Sequence, residues 1–281
     1  MKRIVVADSS SNVFSLPGVQ YACVPLKIYV DGVEYVDDES LNVPELIEAL
    51  EAYQGPSTTS CPNVVDWLTA FGQADEVFAV ALTSGISGGY NAACAAAREY
   101  MEDYPGRKAY VLDSKTTGAE LEVIVEEYAR LCQTDATFEE IVEAIEEFST
   151  RSHLMFALKK VENFAKNGRV NPLVARLATA LDIRIVGQAS DGGELQLLQK
   201  VHGEKRALHQ LLKNMIAAGF AGDMVRLRHT ANLEAAQKLA DEIKKSFPDC
   251  NIRISENRGL CSYYCERGGI LVGFVVPKTQ K

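Results

Sequence analysis

Glu76-Val-Phe-Ala-Val-Ala-Leu-Thr-Ser-Gly-Ile-Ser-Gly-Gly-Tyr-Asn-Ala-Ala-Cys-Ala-Ala-Ala-Arg98 is the stretch on which the fold turns. An apolar run, Val77 to Leu82, ends in Thr83-Ser84-Gly85-Ile86-Ser87-Gly88-Gly89, and an alanine-rich helical stretch follows at once. The order is strand, hydroxyl-bearing glycine turn, helix N-terminus. Such a turn offers backbone N–H and side-chain O–H groups to an anion, where the helix dipole also favours negative charge. A carboxylate or a phosphate is the expected guest.

Two more segments have the same form. Lys2–Ala7 ends in Asp8-Ser9-Ser10-Ser11-Asn12, and Lys108–Leu112 ends in Asp113-Ser114. Strands alternating with helices predict a parallel sheet covered on both faces, with ligands beyond the carboxyl ends of the strands. The Asp8, Ser87 and Asp113 turns should then share one rim, although each Asp could equally be a turn former or helix cap. Between them, Gln20–Val30 and Val33–Val36 read as extended segments around Asp31-Gly32. Pro44–Tyr53 reads as a helix, and Thr58-Thr59-Ser60 as a hydroxyl cluster at the start of a helix carrying Trp67 and Phe71. Pro62 is expected just inside that start, and Thr137-Phe-Glu-Glu140 is a capping box.

From Ser152 the pattern changes. Leu154–Leu158 reads as a strand, Asn167-Gly168-Arg169 breaks the following helix, and Leu173–Leu181 reads as helical. Ile183–Ala189 and Glu194–Val201 flank Ser190-Asp191-Gly192-Gly193, a hairpin signature. Two helix–strand pairs and a last strand, Ile270–Val276, complete a mixed sheet. The expected division is an N-terminal α/β/α domain, 1–152, with a parallel sheet, and a C-terminal α/β domain, 153–281, with a mixed sheet.

Composition narrows the function. Of 281 residues, 47% are hydrophobic and 24% charged, as in a soluble globular protein. No apolar run approaches the roughly 18 residues of a membrane span, and the one after Lys2-Arg3 is too short for a signal peptide. Seven scattered cysteines without paired spacing predict free thiols in a reducing cytoplasm and no metal site. The net charge of −9 disfavours nucleic acid. Residues 1–150 carry 26 acidic and 8 basic side chains, and residues 151–281 carry 12 and 21. Either the two halves attract each other, or the second supplies cations to an anionic ligand or partner.

Two chemistries compete for the Ser87 turn. Gly85-Ile86-Ser87-Gly88-Gly89 matches G-x-S-x-G between strand and helix, so a serine esterase is one reading. Its base would be a downstream histidine, His229 following Asp223 being the best placed, but no late histidine and no HGGG-type loop accompany it. Alternatively Ser87 donates a hydrogen bond. Together with the Thr59 and Ser60 cluster it would hold both oxygens of a carboxylate; the alternative is that Thr59 and Ser60 merely cap the Trp67 helix.

Five short motifs decide between these readings by resemblance. Thr59-Ser60-Cys61-Pro62 is similar to a Thr-Ser-x-Pro motif, and Leu82 to Tyr90 to Ser-x-x-Leu-Ser-Gly-Thr-Tyr. Asp8-Ser9, Asp113-Ser114 and Asn167-Gly168-Arg169 stand where Asp-Ser, Asp-Ser and Gly-Gly-Arg are found. In order and spacing, nearly the whole chain resembles the DegV proteins, which bind fatty acids. Some are acyl-carrying subunits of bacterial fatty acid kinase. The resemblance implies a fatty acid between the two domains, its carboxylate on Thr59 and Ser87 with Ser60 and Gly88 beside them. It implies no catalytic residue, no cofactor and no nucleotide site in this chain, in keeping with the lack of a P-loop. A separate kinase subunit would be the partner. The departures are Gly89 for threonine, His202 for arginine in Lys200-Val201-His202-Gly203, and Asn257-Arg258-Gly259-Leu260-Cys261-Ser262 for a His-x-Gly-Pro-Gly segment. Arg169, His202 and Arg258 are the candidate head-group or partner contacts. A module for another amphipathic anion, with no kinase, is the remaining alternative. Ile86, Leu173, Leu177 and Ile183 are candidate tunnel residues.

Overall fold

A computed structural model describes residues 2–170 and 182–278. The expected helix Leu173–Leu181, with Leu173 and Leu177, lies outside the described residues. Strands β1 (Arg3–Asp8) and β2 (Gln20–Val24) pair in parallel. Then come β3 (Lys27–Val30), β4 (Val33–Val36), α1 (Val43–Ala52), β5 (Thr58–Ser60), α2 (Val64–Phe71), β6 (Glu76–Ala81), α3 (Gly89–Asp103) and β7 (Lys108–Asp113). The first sheet is all-parallel in the order β2-β1-β6-β7, and every residue of β6 is buried. Helices α2 and α3 cover one face, where Trp67, Phe71, Ala93 and Tyr100 meet Val6, Val77 and Ala79. Helices α4 (Gly118–Cys132) and α5 (Phe138–Ser149) cover the other, through Ile124, Tyr128, Ile141 and Ile145. The capping box of α5 forms as predicted: Thr137 accepts from Glu140 N–H and Glu140 from Thr137 N–H.

The antiparallel set β4-β3-β5 is a small separate sheet. Here the structure corrects the sequence reading. Thr58–Ser60 is a strand paired with Lys27–Tyr29, not a helix start. Asn63 is the cap of α2, in a capping box with Asp66, so Pro62 lies outside the helix and neither Thr59 nor Ser60 caps it.

The second sheet takes all its strands from residue 152 onward: β8 (Ser152–Leu158), β9 (Ile183–Ala189), β10 (Leu195–His202), β11 (Met224–His229), β12 (Asn251–Glu256) and β13 (Ile270–Val275). Its order is β10-β9-β8-β13-β11-β12, antiparallel except for β11 with β12. Side chains alternate across it, as strand geometry requires. Met155 and Ala157 join the core under α7 (Glu204–Ala217) and α8 (Leu233–Ser246). Leu154, Phe156 and Leu158 face the opposite way, toward α4, α6 (Glu162–Lys166) and α9 (Gly259–Cys265). Helix α9 was not predicted. Among the described residues no helix is long and apolar enough to cross a membrane.

Candidate functional site

The strand order of the first sheet reverses between β1 and β6, and a crevice opens beyond the carboxyl ends at such a point. The three polar turns meet there. Asp8 accepts from Leu82 N–H (2.6 Å), Ser10 N–H (3.1 Å) and Ser10 O–H (2.5 Å), tying the end of β1 to the end of β6. Burial pushes its carboxyl up to about 6, against the lowering effect of those bonds. Asp113 accepts from the Ser84 hydroxyl (2.5 Å) and N–H (3.0 Å) and pairs with Lys115 (2.6 Å). Burial raises its pKa, but Lys115 and Ser84 more than offset this and hold it below the usual range. Both aspartates therefore shape the turns.

Ser87 is held differently. Its Oγ accepts from Gly89 N–H (3.2 Å) at the start of α3, so its acceptor side is engaged and its proton is left to donate. Cys61 packs on this turn, its Sγ 3.6 Å from where a Gly88 Cβ would stand and its own Cβ 3.6 Å from a Gly89 Cβ. The Thr-Ser-Cys-Pro segment and the Ser-Gly-Gly turn are therefore neighbours. Within the strand, Thr59 lies opposite buried Ile28, while Ser60 lies opposite Lys27, on the other face. Thr59 Oγ1 is 2.8 Å from the Tyr264 hydroxyl. Gly88 is the N-terminal flanking residue of α3, with no side-chain cap.

Tyr264 opens onto an apolar cavity. Leu154, Phe156, Leu158, Phe164, Leu195 and Leu271 line it, with Ile86 from the Ser87 turn beside them. The tip of the β9–β10 hairpin closes one side: Gly193, at φ +77°, lies so close to Thr83 and Lys115 that a side chain has no room.

The remaining sequence candidates divide. Gly168 (φ +66°) ends α6 in a Schellman motif, with Arg169 N–H donating to Phe164 O (2.8 Å) and Gly168 N–H to Ala165 O (3.1 Å). The turn sets Arg169 beside the Tyr264 hydroxyl, whose pKa burial raises and which Thr59 and Arg169 oppose. Arg258 is engaged elsewhere: its guanidinium donates to the carbonyls of Asp38, Glu39 and Leu41 and lies over Phe14. His202 ends β10, seven residues from the cavity-lining Leu195, roughly 23 Å along a strand. It is 64% exposed, with Asp182 at 3.7 Å. Ile183 is in β9, paired with His202. No serine triad is assembled among the described residues: His229 Nδ1 accepts from Asn232 N–H (3.3 Å), and the bond Ser87 Oγ makes is the one from Gly89. Nor do the described residues hold a metal-ligating cluster.

A family model described as an uncharacterised protein of the DegV family matches residues 3–276. The chain belongs to the DegV family. A DegV domain-containing protein of Streptococcus pneumoniae is 37% identical over 276 residues, covering 97% of this chain and 98% of that protein. Two solved structures of the family are similar throughout. The S. pneumoniae fatty acid kinase B3 protein, loaded with linoleic acid, has a TM-score of 0.96 at 36% identity over 99% of this chain and all of that one. A DegV family protein from Eubacterium eligens, loaded with heptadecanoic acid, has a TM-score of 0.95 at 38% identity, over 98% and 100%.

Sequence reasoning missed Tyr263 and Tyr264. Their signal was available as two adjacent tyrosines in an otherwise small-residue segment, Gly259-Leu-Cys-Ser-Tyr-Tyr-Cys265.

Proposed function

We propose that this chain is a long-chain fatty acid carrier that divides near residue 152, holds the acyl tail in the apolar cavity between its halves, and binds the carboxylate through Thr59 and Ser87. The observation that carries this reading is an almost wholly apolar chamber lined by Tyr264, whose hydroxyl bonds with that of Thr59, and by Ile86, which precedes Ser87. Sinking about 16 carbons into such a chamber gains on the order of 10 kcal/mol before ordering costs. The head group must be satisfied, because an unpaired buried carboxylate is very costly. Hydroxyl donors and the free N–H groups at the start of α3 do this while leaving the oxygens reachable. The kinase B3 protein of S. pneumoniae, similar over its full length, supports a role in presenting the carboxylate to a separate kinase subunit.

Native mass spectrometry of the purified protein, followed by organic extraction, tests the ligand class. A stoichiometric adduct that extracts as free fatty acid is expected, and a chain that takes up no added fatty acid refutes the carrier. Reconstitution with a kinase subunit, ATP and the loaded chain tests presentation. Acyl-phosphate formation is expected, and its absence with a subunit active on the S. pneumoniae protein removes the kinase role.

A further inference from the structure

The apolar cavity has a direction. Leu154, Phe156 and Leu158 lie on one face of β8 and line it in turn. Helix α6 follows β8 after a short turn, so its Phe164 stands at the Leu158 end. The Phe164 ring is 4.7 Å from that of Tyr264, whose hydroxyl meets Thr59. That end is the one for the head group. Leu154 lies at the other, four residues or roughly 13 Å back along the strand.

Strand register fixes what stands beside Leu154. On one side it pairs with Gly273 of β13, where a side chain would run into the Ala119 carbonyl at the start of α4. On the other, β9 sets Gln188 against Met155, which puts Ala189 against Leu154 one step on. Between two such small neighbours, Leu154 is the side chain that fills the centre of the row. The next residue of β8 on this face is Ser152, and there the chemistry changes. Ser152 and Glu120 are both buried, and the serine hydroxyl donates to the carboxyl at 2.7 Å. A second cleft opens at this level, a polar one, lined by Glu120, Ser149, Ser152, Ser190 and Asp191. Leu154 and Ala189 line both spaces, so the apolar cavity and the polar cleft lie on either side of one row. Methylenes that passed this row would leave apolar walls for a carboxyl and hydroxyls, and would gain little from burial.

We propose that Leu154, with Ala189 beside it, is the tail stop of the acyl chamber, the row that sets the longest chain this carrier accepts. This rests on the fatty acid reading above, with the carboxylate at the Thr59 end. Leu154 ends the space by its bulk, and the small Ala189 leaves the last of the room for the terminal methyl.

The test uses the delipidated full chain, offered an equimolar mixture of saturated fatty acids from lauric to behenic. Native mass spectrometry reads which are retained. The native chain should show a sharp upper limit of length. Leu154→Ala should move that limit up, raising retention of the acid two methylenes beyond it about tenfold, the ordinary gain for burying two methylenes. Ala189→Leu should move it down, lowering retention of the longest native acid by a similar factor and leaving the shortest unchanged. Leu158→Ala, at the head-group end, should leave the limit where it is. Melting curves of the lipid-free variants establish that each is folded, and Ala189→Leu decides the matter if Leu154→Ala is not. A native profile with no upper limit, or a limit unmoved in the folded variants, overturns the stop. A shift in Leu158→Ala equal to that in Leu154→Ala overturns its placement at this row. A native chain that retains no acid at all fells the carrier and the stop with it, whereas full retention at an unmoved limit fells the stop alone.

Discussion

The two halves of this chain meet along two seams of opposite character. One is a lattice of charge. Glu122 and Glu126 of α4 face Arg226 and Arg228 of β11 and Arg253 of β12, with Arg228 bonded to Glu122 at 2.6 Å and Arg226 to Glu126 at 2.6 Å. Arg253 pairs with both glutamates. Arg228 reaches on to the carbonyls of Glu256 (2.9 Å) and Asn12 (3.2 Å), so little of its hydrogen-bonding capacity is unmet. The other seam is hollow and lined with leucine and phenylalanine, with neutral hydroxyls at its polar end. The opposite charges of the halves thus serve to hold them together. The proposed ligand site relies on hydroxyls. A carboxylate clamped directly by arginine would be tightly held and poorly reachable, which suits a clasp. One held by hydroxyls suits a cargo.

That contrast breaks first at the charged seam. Glu122 is 1% exposed and neutralises two arginines. Glu122→Ala should cost about 3–5 kcal/mol of unfolding free energy, since it leaves buried charge unpaired. Denaturant titration measures it, and a loss below about 1 kcal/mol would mean the lattice is not what joins the halves. A smaller effect, near 3 kcal/mol, is expected at Glu120, where α4 meets the first residue of β8. Glu120 accepts from the Ser152 hydroxyl (2.7 Å), and burial, opposed by its hydrogen bonds, pushes its carboxyl up to about 7. Its folded pKa lies above the unfolded value, so folding is favoured while the group is protonated. That contribution is complete below about pH 4.5 and is lost as pH rises toward 7. Glu120→Gln should remove much of that decline and gain about 3 kcal/mol above pH 7, since each pH unit separating the folded and unfolded values is worth roughly 1.4 kcal/mol. A pH series of melting curves identical to the native chain's would refute it.

At the hollow seam the expectation is reversed. Thr59→Ala with Ser87→Ala should lower fatty acid affinity on the order of a hundredfold, two hydrogen bonds to a charged group at about 1.5 kcal/mol each. Unfolding free energy without lipid should change by less than about 2 kcal/mol, since the bonds these side chains make within the protein are one from a backbone N–H and one with an exchangeable hydroxyl. Isothermal titration and denaturation of delipidated protein separate the two. Equal losses in both would merge the two seams into one.

How much of this was readable in the chain depends on the range over which each feature is determined. The Val77–Leu82 strand, the Ser190–Gly193 hairpin and the Thr137 box are specified by residues a few positions apart, and they appear as predicted. Helix α9 is not of that kind. Seven residues make fewer than two turns, too few for a period to show. Its start is capped by Asp37, which accepts from Gly259 N–H (2.8 Å) and Leu260 N–H (2.9 Å) across more than 220 positions. Thr58–Ser60 is likewise a strand only because Lys27–Tyr29 lies beside it. Motif resemblance led to Thr59 and Ser87, and could not lead to Tyr264, whose partner is 205 residues away. The charge imbalance was visible, but its use as a clasp required the placement of β11 against α4.

The smallest effect is expected at a pair that also joins the halves. Arg267 makes two bonds to Glu51 of α1, at 2.7 and 3.0 Å, a geometry as good as that of the buried lattice. Both side chains are 47% exposed. Water already solvates each partner, so forming the pair removes little desolvated charge and salt screens what attraction remains. Arg267→Gln should change unfolding free energy by no more than about 1 kcal/mol, and less at high salt. A loss comparable to that of Glu122→Ala would show that the halves are held by their rim as much as by their buried charges, and that burial is not what separates a clasp from a surface contact in this fold.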